Sequence, residues 1–390
     1  MTGEIRQRLC FAQGPWQLIL LAAALEAEDE RAGGVRPATR LVLYAPYFNR
    51  DLREWMQRLA PALREWDGIV SVGHPLRNEL RSREWPLPVD EWTRLVREQC
   101  GVSDSDELWL PHVMQFAERV ASIAYSRASI VTYEEGLSTY LPQIVSAWST
   151  RDVRDLLVAL PGLLRRRRLR AHLISLQLSN WRTAKSFVRR VRCVYGFLSP
   201  RLSFAEPYSE TPVGQIPVGK VRGLIGKAVR GLSSGFDSSA QVLPENHVLV
   251  LSATLYPDLK VTWEREAEIY RELVAELIEK GYTVHWKEHP RETKPFWTAF
   301  ARDFSASRFH VPDVPHEWPV EMLYLRQQYP ICLGACSSAL YSLPMLYGTR
   351  TYSFGKRMAA EGGGATLPVL AMTIRDIEDY GALPSVGAVG

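Results

Sequence analysis

The sequence predicts an α/β protein built from two βαβ domains. Short apolar and β-branched runs alternate with amphipathic stretches in both halves of the chain, which is typical of parallel sheets flanked by helices. The chain has 390 residues, of which 46% are hydrophobic, so it is too long for one ordinary domain and can bury a sizeable core. We therefore predict an N-terminal domain at 1–198, an interdomain connection at 199–241 and a C-terminal domain at 242–390.

The N-terminal block begins with alternating strands and helices. The pattern predicts strands at 8–12, 41–45, 69–72, 107–111 and 129–133, and helices at 16–27, 51–66, 89–98 and 114–125. The apolar run 16–25 is shorter than the about 20 residues that cross a bilayer. Gly14 and Pro15 precede this run as at a helix start, and acidic residues follow it where a signal peptide would have small residues. We therefore expect a buried first helix.

A basic segment follows. Residues 156–205 contain eleven lysines and arginines and no aspartate or glutamate, although the net charge of the chain is only +4. We predict a basic helical segment at 156–192 and a strand at 193–198; the densest basic run is Arg165, Arg166, Arg167, Arg168 and Arg170. Such a surface attracts a polyanionic acceptor or an anionic membrane. The alternative is a solvated helix face packed by its leucines.

The same segment bears on location and partners. The arginine run at 165–170 has no interleaved aromatic residues and belongs to no recognised nucleic-acid module, so we expect no nucleic-acid partner. We expect a cytoplasmic protein that contacts the inner membrane face peripherally.

The C-terminal block repeats the alternation. Strands are predicted at 247–252, 283–287, 309–311 and 330–333, and helices at 263–280, 317–327 and 339–346. Two such domains are expected to face each other across a cleft, and α/β proteins bind ligands at the carboxyl ends of parallel strands. The residues that carry chemistry should therefore follow strands directly.

An acidic pair follows one N-terminal strand. Strand 129–133 runs into Glu134, Glu135 and Gly136. Adjacent carboxylates raise each other's pKa, which suits one of them to accept a proton near neutral pH, and the glycine permits a tight turn. The alternative is a solvated loop.

A histidine follows a C-terminal strand. Strand 283–287 runs into Glu288, His289, Pro290 and Arg291. A histidine held by a following proline and flanked by Lys287 and Arg291 is a donor set for an anion such as phosphate. The alternative is a surface His-Pro pair without a role.

Paired hydroxyls open a later helix. Ser337 and Ser338 precede the predicted helix 339–346, where side-chain donors, backbone N–H groups and the helix dipole together favour phosphate. An ordinary serine N-cap is the alternative. Glu321, near the start of helix 317–327, either accepts hydrogen bonds from a ribose or only stabilises its own helix.

The positions of the cysteines and of the aspartates at 104 and 106 predict no metal site, and we expect no cofactor. Five cysteines are an odd number in a large chain, which favours a reducing compartment over a disulfide framework. Cys332 and Cys336 have no second His or Cys pair nearby, so we expect buried structural thiols. Asp104 and Asp106 have the spacing of some metal sites, but they precede a strand instead of following one.

The ordered set of motifs resembles the bacterial sialyltransferases, whose motifs are described as D/E-D/E-G, HP and S/S or S/T. Within that group, the chain looks most like the polysialyltransferases and lipooligosaccharide sialyltransferases, through residues 133–136, 287–291, 319–321 and 336–340. The resemblance implies a GT-B fold of two Rossmann-like domains. One departure is Glu288, because the family commonly has Lys-Pro before His-Pro.

The resemblance also implies a mechanism. The donor would be a CMP-activated nonulosonic acid such as CMP-sialic acid, transferred with inversion and without metal to a glycan hydroxyl. Glu135, with Glu134 as the second choice, would be the general base. His289, Ser337 and Ser338 would bind the phosphate of CMP, and His289 would donate a proton. Glu321 would hold the ribose, and Lys287 or Arg291 the phosphate or the sugar carboxylate.

Two other functions stay open. A CDP-glycerol or CDP-ribitol phosphotransferase of teichoic-acid type resembles the same fold with His-Pro and Ser-Ser motifs, but its reaction attacks phosphorus. A non-catalytic binder of nucleotides or glycans would keep the fold and lose turnover. The acidic pair favours the sialyltransferase.

Overall fold

A computed structural model describes residues 7–34, 36–44, 50–72, 89–111, 116–141, 188–205, 208–232, 240–290, 292, 294–361 and 367–386. The chain divides into two compact units. The first unit comprises Met1–Glu135 and Thr139–Leu224, and the second comprises Gly136–Ser138 and Ile225–Gly390.

The first unit contains one parallel sheet and the helices that cover it. Its strands are β1 (Gln7–Ala12), β2 (Ala38–Tyr44), β3 (Gly68–Val72), β4 (Glu107–Leu110), β5 (Ser129–Tyr133), β6 (Val191–Gly196) and β7 (Val213–Gln215). Its helices are α1 (Pro15–Arg31), α2 (Arg50–Leu63), α3 (Val89–Cys100) and α4 (Phe116–Ala124). A 3₁₀ turn, Leu137–Tyr140, follows β5.

The first sheet has the strand order β3-β2-β1-β4-β5-β6-β7, with every neighbouring pair parallel. This is the doubly wound, Rossmann-like order, in which crossover helices lie on both faces. Helix α1 follows β1, and its residues Leu18 to Leu25 are fully buried. The predicted buried first helix is confirmed.

The second unit contains a smaller parallel sheet. Its strands are β8 (Gln241–Val242), β9 (His247–Leu251), β10 (Thr283–Lys287), β11 (Phe309–His310), β12 (Gln327–Gln328), β13 (Ile331–Gly334) and β14 (Arg350–Ser353). Its helices are α6 (Tyr256–Leu259), α7 (Trp263–Glu279), α8 (Val320–Leu323), α9 (Ala339–Tyr347), α10 (Gly355–Glu361) and α11 (Pro368–Asp376). The helix α5 (Val218–Leu232) contains the division between the units.

The second sheet has the order β11-β10-β9-β13-β14, again entirely parallel, and β8 pairs separately with β12. Its central strand β9 is a continuous apolar run because both of its faces are covered. Helix α7 begins at the N-cap Thr262, whose hydroxyl accepts a hydrogen bond from the N–H of Arg265. It buries Ile269, Tyr270 and Leu273 against the sheet. The prediction of an α/β protein with two Rossmann-like domains is confirmed.

Some predicted elements differ in the structure. The connection 199–241 contains β7 and all of α5, and residues 199–224 belong to the first unit. The predicted helix 317–327 is wrong in extent, because only the single turn Val320–Leu323 is helical. Pro319 disfavours a helical conformation at Trp318, and Gln327 and Gln328 pair with β8 as a strand.

Part of the basic segment has a structural role. Arg190 donates to the backbone carbonyls of Ser122, Tyr125 and Ala128. Arg192 pairs with Glu28 and Glu107, so carboxylates offset its charge, whereas Arg190 is fixed by carbonyls alone. The run Arg165, Arg166, Arg167, Arg168 and Arg170 lies outside the described residues, as does nearly all of the predicted basic helix.

Within the ranges that the structure describes, no helix combines the length and the apolar character needed to cross a membrane.

Candidate functional site

The strand order identifies where a ligand would bind in each sheet. In doubly wound sheets the site lies at the carboxyl ends of the strands, where the order of connection reverses. That point falls between β1 and β4 in the first sheet and between β9 and β13 in the second. The predicted residues follow β5 in the first sheet and β10 and β13 in the second. They therefore lie at the ends of strands beside or at these reversal points.

Glu134 is fully buried and bound to its own unit. Its Oε2 accepts hydrogen bonds from the hydroxyl of Tyr140 at 2.5 Å and from the backbone N–H groups of Phe197 at 2.7 Å and Leu198 at 2.8 Å. Its own N–H donates to the carbonyl of Tyr195 on the neighbouring strand β6. This carboxylate joins the carboxyl ends of β5 and β6, and its position does not suit it to meet a substrate.

Glu135 is the accessible member of the acidic pair. Its side chain is half-buried, and its backbone N–H donates to Thr139 Oγ1 at 3.0 Å. Gln17 Nε2 lies 3.4 Å from Glu135 Oε2, while the Oε1 of the same amide accepts the N–H of Gln13 at 3.1 Å. Because Gln13 orients the amide oxygen, the NH₂ group of Gln17 faces the Glu135 carboxylate.

Gly136 occupies a conformation that requires glycine. Its φ is +139°, and within the second unit a Cβ on it would lie 3.7 Å from Ser338 Oγ. The structure therefore places the backbone of Gly136 against Ser338. The turn that the sequence predicts after the acidic pair is present.

His289 lies at the first position of a β-turn. The N–H of Glu292 donates to the carbonyl of His289 at 2.9 Å, which puts Pro290 at the second position, where its fixed φ is favoured. The backbone N–H of His289 donates to Ser252 Oγ at 2.8 Å. Because Ser252 follows β9, this bond connects the carboxyl ends of two neighbouring strands.

Glu288, the departure from the family motif, is buried. Its Oε2 accepts from Trp286 Nε1 at 2.5 Å and its Oε1 from the N–H of Phe296 at 3.0 Å. Burial raises the pKa of this carboxyl, and hydrogen bonds from Phe296, Trp286 and Ser252 partly oppose that rise. The carboxyl of Glu288 is therefore hydrogen-bonded to groups of the second unit.

Lys287 is also largely buried. Its Nζ donates to the carbonyls of Glu288 at 3.0 Å and His316 at 2.9 Å. Burial lowers its pKa to about 8, although Glu288 and Glu317 favour the charged form. Lys287 thus links the segment around His289 to the loop that precedes α8. Arg291, the other predicted cation, lies outside the described residues.

The two serines at the start of α9 differ in their contacts. Ser337 Oγ accepts the N–H of Ala339, the first residue of α9, at 3.2 Å. Ser338 makes no capping hydrogen bond with its side chain and is half-buried. Ser338 therefore keeps a hydroxyl at a helix N-terminus that the cap does not use.

Glu321 is almost fully buried beneath α9. Its Oε1 accepts the hydroxyl of Ser342 at 2.6 Å, and its carbonyl accepts the hydroxyl of Tyr347 at 2.8 Å. Burial raises the pKa of its carboxyl. These bonds connect α8 to α9, which is more than first-turn stabilisation of its own helix.

The five cysteines are free thiols, and four of them, including Cys332, are buried. Asp104 accepts the N–H of Ser105, and Asp106 accepts the N–H of Gln7, so both carboxylates serve local backbone groups. Among the described residues, no three His, Cys, Asp or Glu side chains form a group that could hold a metal ion.

Sequence reasoning missed two residues at this site. Ser252 ends the predicted strand 247–252 and contacts His289, and Gln17 lies in the first turn of α1 beside Glu135. The rule that informative residues follow strands would have selected Ser252. No sequence signal marks Gln17, because its contact depends on the pairing of β1, β4 and β5.

Comparison with known families gives one match over most of the chain. The family model described as alpha-2,8-polysialyltransferase matches residues 8–356. A search of curated proteins finds no match.

Solved structures resemble the chain at low identity. The chain is similar to the UDP-GlcNAc 2-epimerase from Neisseria meningitidis bound to UDP-GlcNAc, with 12% identity, 95% of this chain and 91% of that chain covered, and a TM-score of 0.46. It is similar to the E. coli heptosyltransferase WaaC, with 10% identity, 89% and 88% covered, and a TM-score of 0.38. It is also similar to Medicago truncatula UGT71G1 complexed with UDP-glucose, with 10% identity, 90% and 80% covered, and a TM-score of 0.45.

Proposed function

Because the chain belongs to the alpha-2,8-polysialyltransferase family and is therefore a glycosyltransferase, we propose that it transfers a nonulosonic acid from a CMP-activated donor to a glycan hydroxyl. The transfer inverts the anomeric centre and needs no metal ion. The observation that carries this proposal is the difference between Glu134, which is fully buried and bonded, and Glu135, which is half-buried at the same strand end.

The first part of the mechanism is proton removal. Glu135 accepts the proton of the acceptor hydroxyl as its oxygen attacks the anomeric carbon of the donor. The bond between the anomeric carbon and the phosphate oxygen breaks on the opposite face, and CMP leaves with that electron pair. Gln17 holds the carboxylate of Glu135 in place through its amide, which its bond from Gln13 supports.

The second part is stabilisation of the departing CMP. His289, at the first position of its turn, donates a hydrogen bond and then a proton to the phosphate. The hydroxyls of Ser337 and Ser338 and the N-terminus of α9 receive the phosphate charge. A monophosphate carries less charge than a diphosphate, so protein donors can replace a metal ion. Lys287 or Arg291 adds positive charge for the phosphate or the sugar carboxylate.

The ribose of CMP is assigned to Glu321. Ser342 donates to one oxygen of this carboxyl and so fixes the side chain. Because this side chain is nearly buried, we expect it to recognise one hydroxyl and not to bind charge.

A donor screen tests the function. The protein is incubated with CMP-sialic acid or CDP-glycerol and a glycan acceptor, and CMP release is measured. We expect release from CMP-sialic acid, and a loss of about 10²- to 10⁴-fold in kcat for Glu135→Gln. Release from CDP-glycerol alone would establish the phosphotransferase instead. CMP binding without turnover from either donor would identify a non-catalytic binder.

Membrane contact through Arg165, Arg166, Arg167, Arg168 and Arg170 is also part of the proposal. Each Lys or Arg near an anionic leaflet contributes about 1 kcal/mol, so a few arginines suffice for reversible binding. Liposome flotation with and without anionic lipid tests it. Equal recovery on both kinds of vesicle would end this part of the proposal and leave the sugar transfer untouched.

A further inference from the structure

Two buried polar side chains lie under the His289 turn, and the proposed reaction uses neither of them. Glu288 is 5% exposed and Ser252 is 4% exposed. Glu288 accepts from Trp286 on the preceding strand and from the N–H of Phe296, eight residues further along the chain. It therefore connects the start and the end of the segment that contains His289.

A carboxyl at this depth is costly without partners. Burying a polar group without hydrogen bonds is destabilising, and more so when the group is charged. Glu288 meets this cost with donors from an indole and a backbone amide. An apolar residue would fill the same space, but it would not connect these two groups.

Ser252 holds the backbone of His289 from the neighbouring strand end. Its Oγ accepts the backbone N–H of His289 at 2.8 Å. Its own backbone N–H donates to the carbonyl of Lys287 at 3.1 Å. The backbone of His289 is therefore held on its N–H side by Ser252 and on its C-terminal side by the turn through Pro290.

We infer that Glu288 and Ser252 are positioning residues that set the orientation of His289 toward the phosphate of the donor. The inference rests on the proposed function for the role of His289. It also assigns a purpose to Glu288, the residue that departs from the family motif. The pair acts through His289 and touches no reacting atom.

A double-mutant cycle tests this inference. The variants are Ser252→Ala, Glu288→Gln and His289→Ala, alone and with His289→Ala combined with each of the others. We expect Ser252→Ala to reduce kcat for CMP release about tenfold and Glu288→Gln by up to about 10²-fold, because small misplacements of a reacting group are expensive. In the His289→Ala background, either change should reduce kcat less than about twofold, since positioning an absent imidazole has no effect.

Two controls separate positioning from general damage. Ser105→Ala removes a buried serine hydroxyl that donates to the carbonyls of Gln7 and Glu107 in the first unit. Its effect on kcat should be the same with and without His289. Thermal unfolding identifies any variant that fails to fold, and Ser252→Ala decides the matter if Glu288→Gln is unstable.

The outcomes are distinct from those of the donor screen. If the loss caused by Ser252→Ala persists in the His289→Ala background, the pair does not act through His289 and the inference is overturned. If the wild-type protein releases no CMP from any donor, the proposed function fails instead. The same cycle measured on CMP affinity then decides the inference: weaker binding on Ser252→Ala that requires His289 supports it, and independent effects reject it.

Discussion

Neighbouring residues on an extended chain point to opposite sides, and this alternation separates Glu134 from Glu135. Glu134 points inward, where the N–H groups that follow β6 and the hydroxyl of Tyr140 meet it. Glu135 comes one residue later and remains half-buried. A single strand end thus supplies one structural carboxylate and one accessible carboxylate.

Glu134→Gln should destabilise the protein more than Glu135→Gln. An amide at position 134 would direct an NH₂ group or a weaker acceptor at three donors that now meet one charged oxygen. We expect a loss of about 2–3 kcal/mol in the free energy of unfolding for Glu134→Gln, and less than about 0.5 kcal/mol for Glu135→Gln. Urea denaturation measures both.

Tyr140→Phe is the matched control, because it removes one donor and leaves the carboxylate. Its loss should be about 1 kcal/mol. Equal destabilisation by Glu134→Gln and Glu135→Gln would show that the two carboxylates do not differ in the way their contacts indicate.

The sequence predicted which residues follow the strands, but not what each does. The sequence did not determine which of Glu134 and Glu135 is buried, because both follow β5. The position of the neighbouring strand β6 decides it. The sequence indicated that Glu288 places a negative charge near the phosphate site. Its hydrogen-bond partner Phe296 is eight residues away, so no local sequence pattern predicts that contact. Contacts between separate strand ends therefore limit what sequence alone can assign.

At the scale of elements, three neighbouring strands of the second sheet bring histidine rings together. His247 on β9 lies with Nδ1 2.9 Å from His285 Nε2 on β10, and the rings of His285 and His310 on β11 stack at 4.9 Å. The hydroxyl of Tyr329 lies 3.5 Å from His285 Nδ1. Burial, together with the neighbouring His310 and His247, lowers the pKa of His285 to about 3.

Acid should weaken the second unit through His285. The pKa of histidine is about 6.5 in the unfolded chain and about 3 for His285 in the folded chain. Below about pH 6.5 the unfolded state therefore binds more protons than the folded state. The contribution of His285 to the free energy of unfolding is fully present above that pH and is lost as the pH falls. Between pH 7 and pH 5 we expect a loss of about 2 kcal/mol in the free energy of unfolding from this group.

His285→Gln supplies the comparison, since glutamine keeps hydrogen-bonding groups and does not titrate. Urea denaturation at pH 7 and pH 5 should give a smaller pH dependence for the variant than for the wild type. An identical pH dependence in both proteins would exclude His285 as its source.

The elements that sequence predicted well are those with long apolar runs, such as β9 and α1. The elements it missed have weak local signals. The three residues of β7 lie in a Gly/Pro-rich stretch, and α5 contains four glycines, each of which lowers helix propensity by about 1 kcal/mol. Tertiary packing compensates, because α5 buries Val221, Ile225 and Val229.

At the scale of the molecule, CMP should protect a defined set of backbone amides. We expect hydrogen exchange to slow at least tenfold at 252–254, 289–292 and 335–339 when CMP is bound, because these segments follow β9, β10 and β13. The amides around His247, at the amino end of β9, and around His310, on the edge strand β11, should exchange at unchanged rates. Protection confined to other segments would place the nucleotide elsewhere.

The two-domain layout could be predicted from the sequence because its signal is spread over many residues. Alternating apolar runs indicate parallel sheets, and each sheet has the expected doubly wound order. The boundary between the units was harder to predict, because α5 runs through it without a break. A continuous helix has no compositional signal at the point where one compact unit ends.

The connection between β5 and β6 is much longer than their pairing requires. These strands are parallel neighbours, and a connection of about a dozen residues would join them. The chain uses residues 134–190, several times that length, while Glu134 anchors the exit of one strand to the end of the next. The bonds of Glu134 therefore tie the ends of the two strands directly to each other, whatever the number of residues between them.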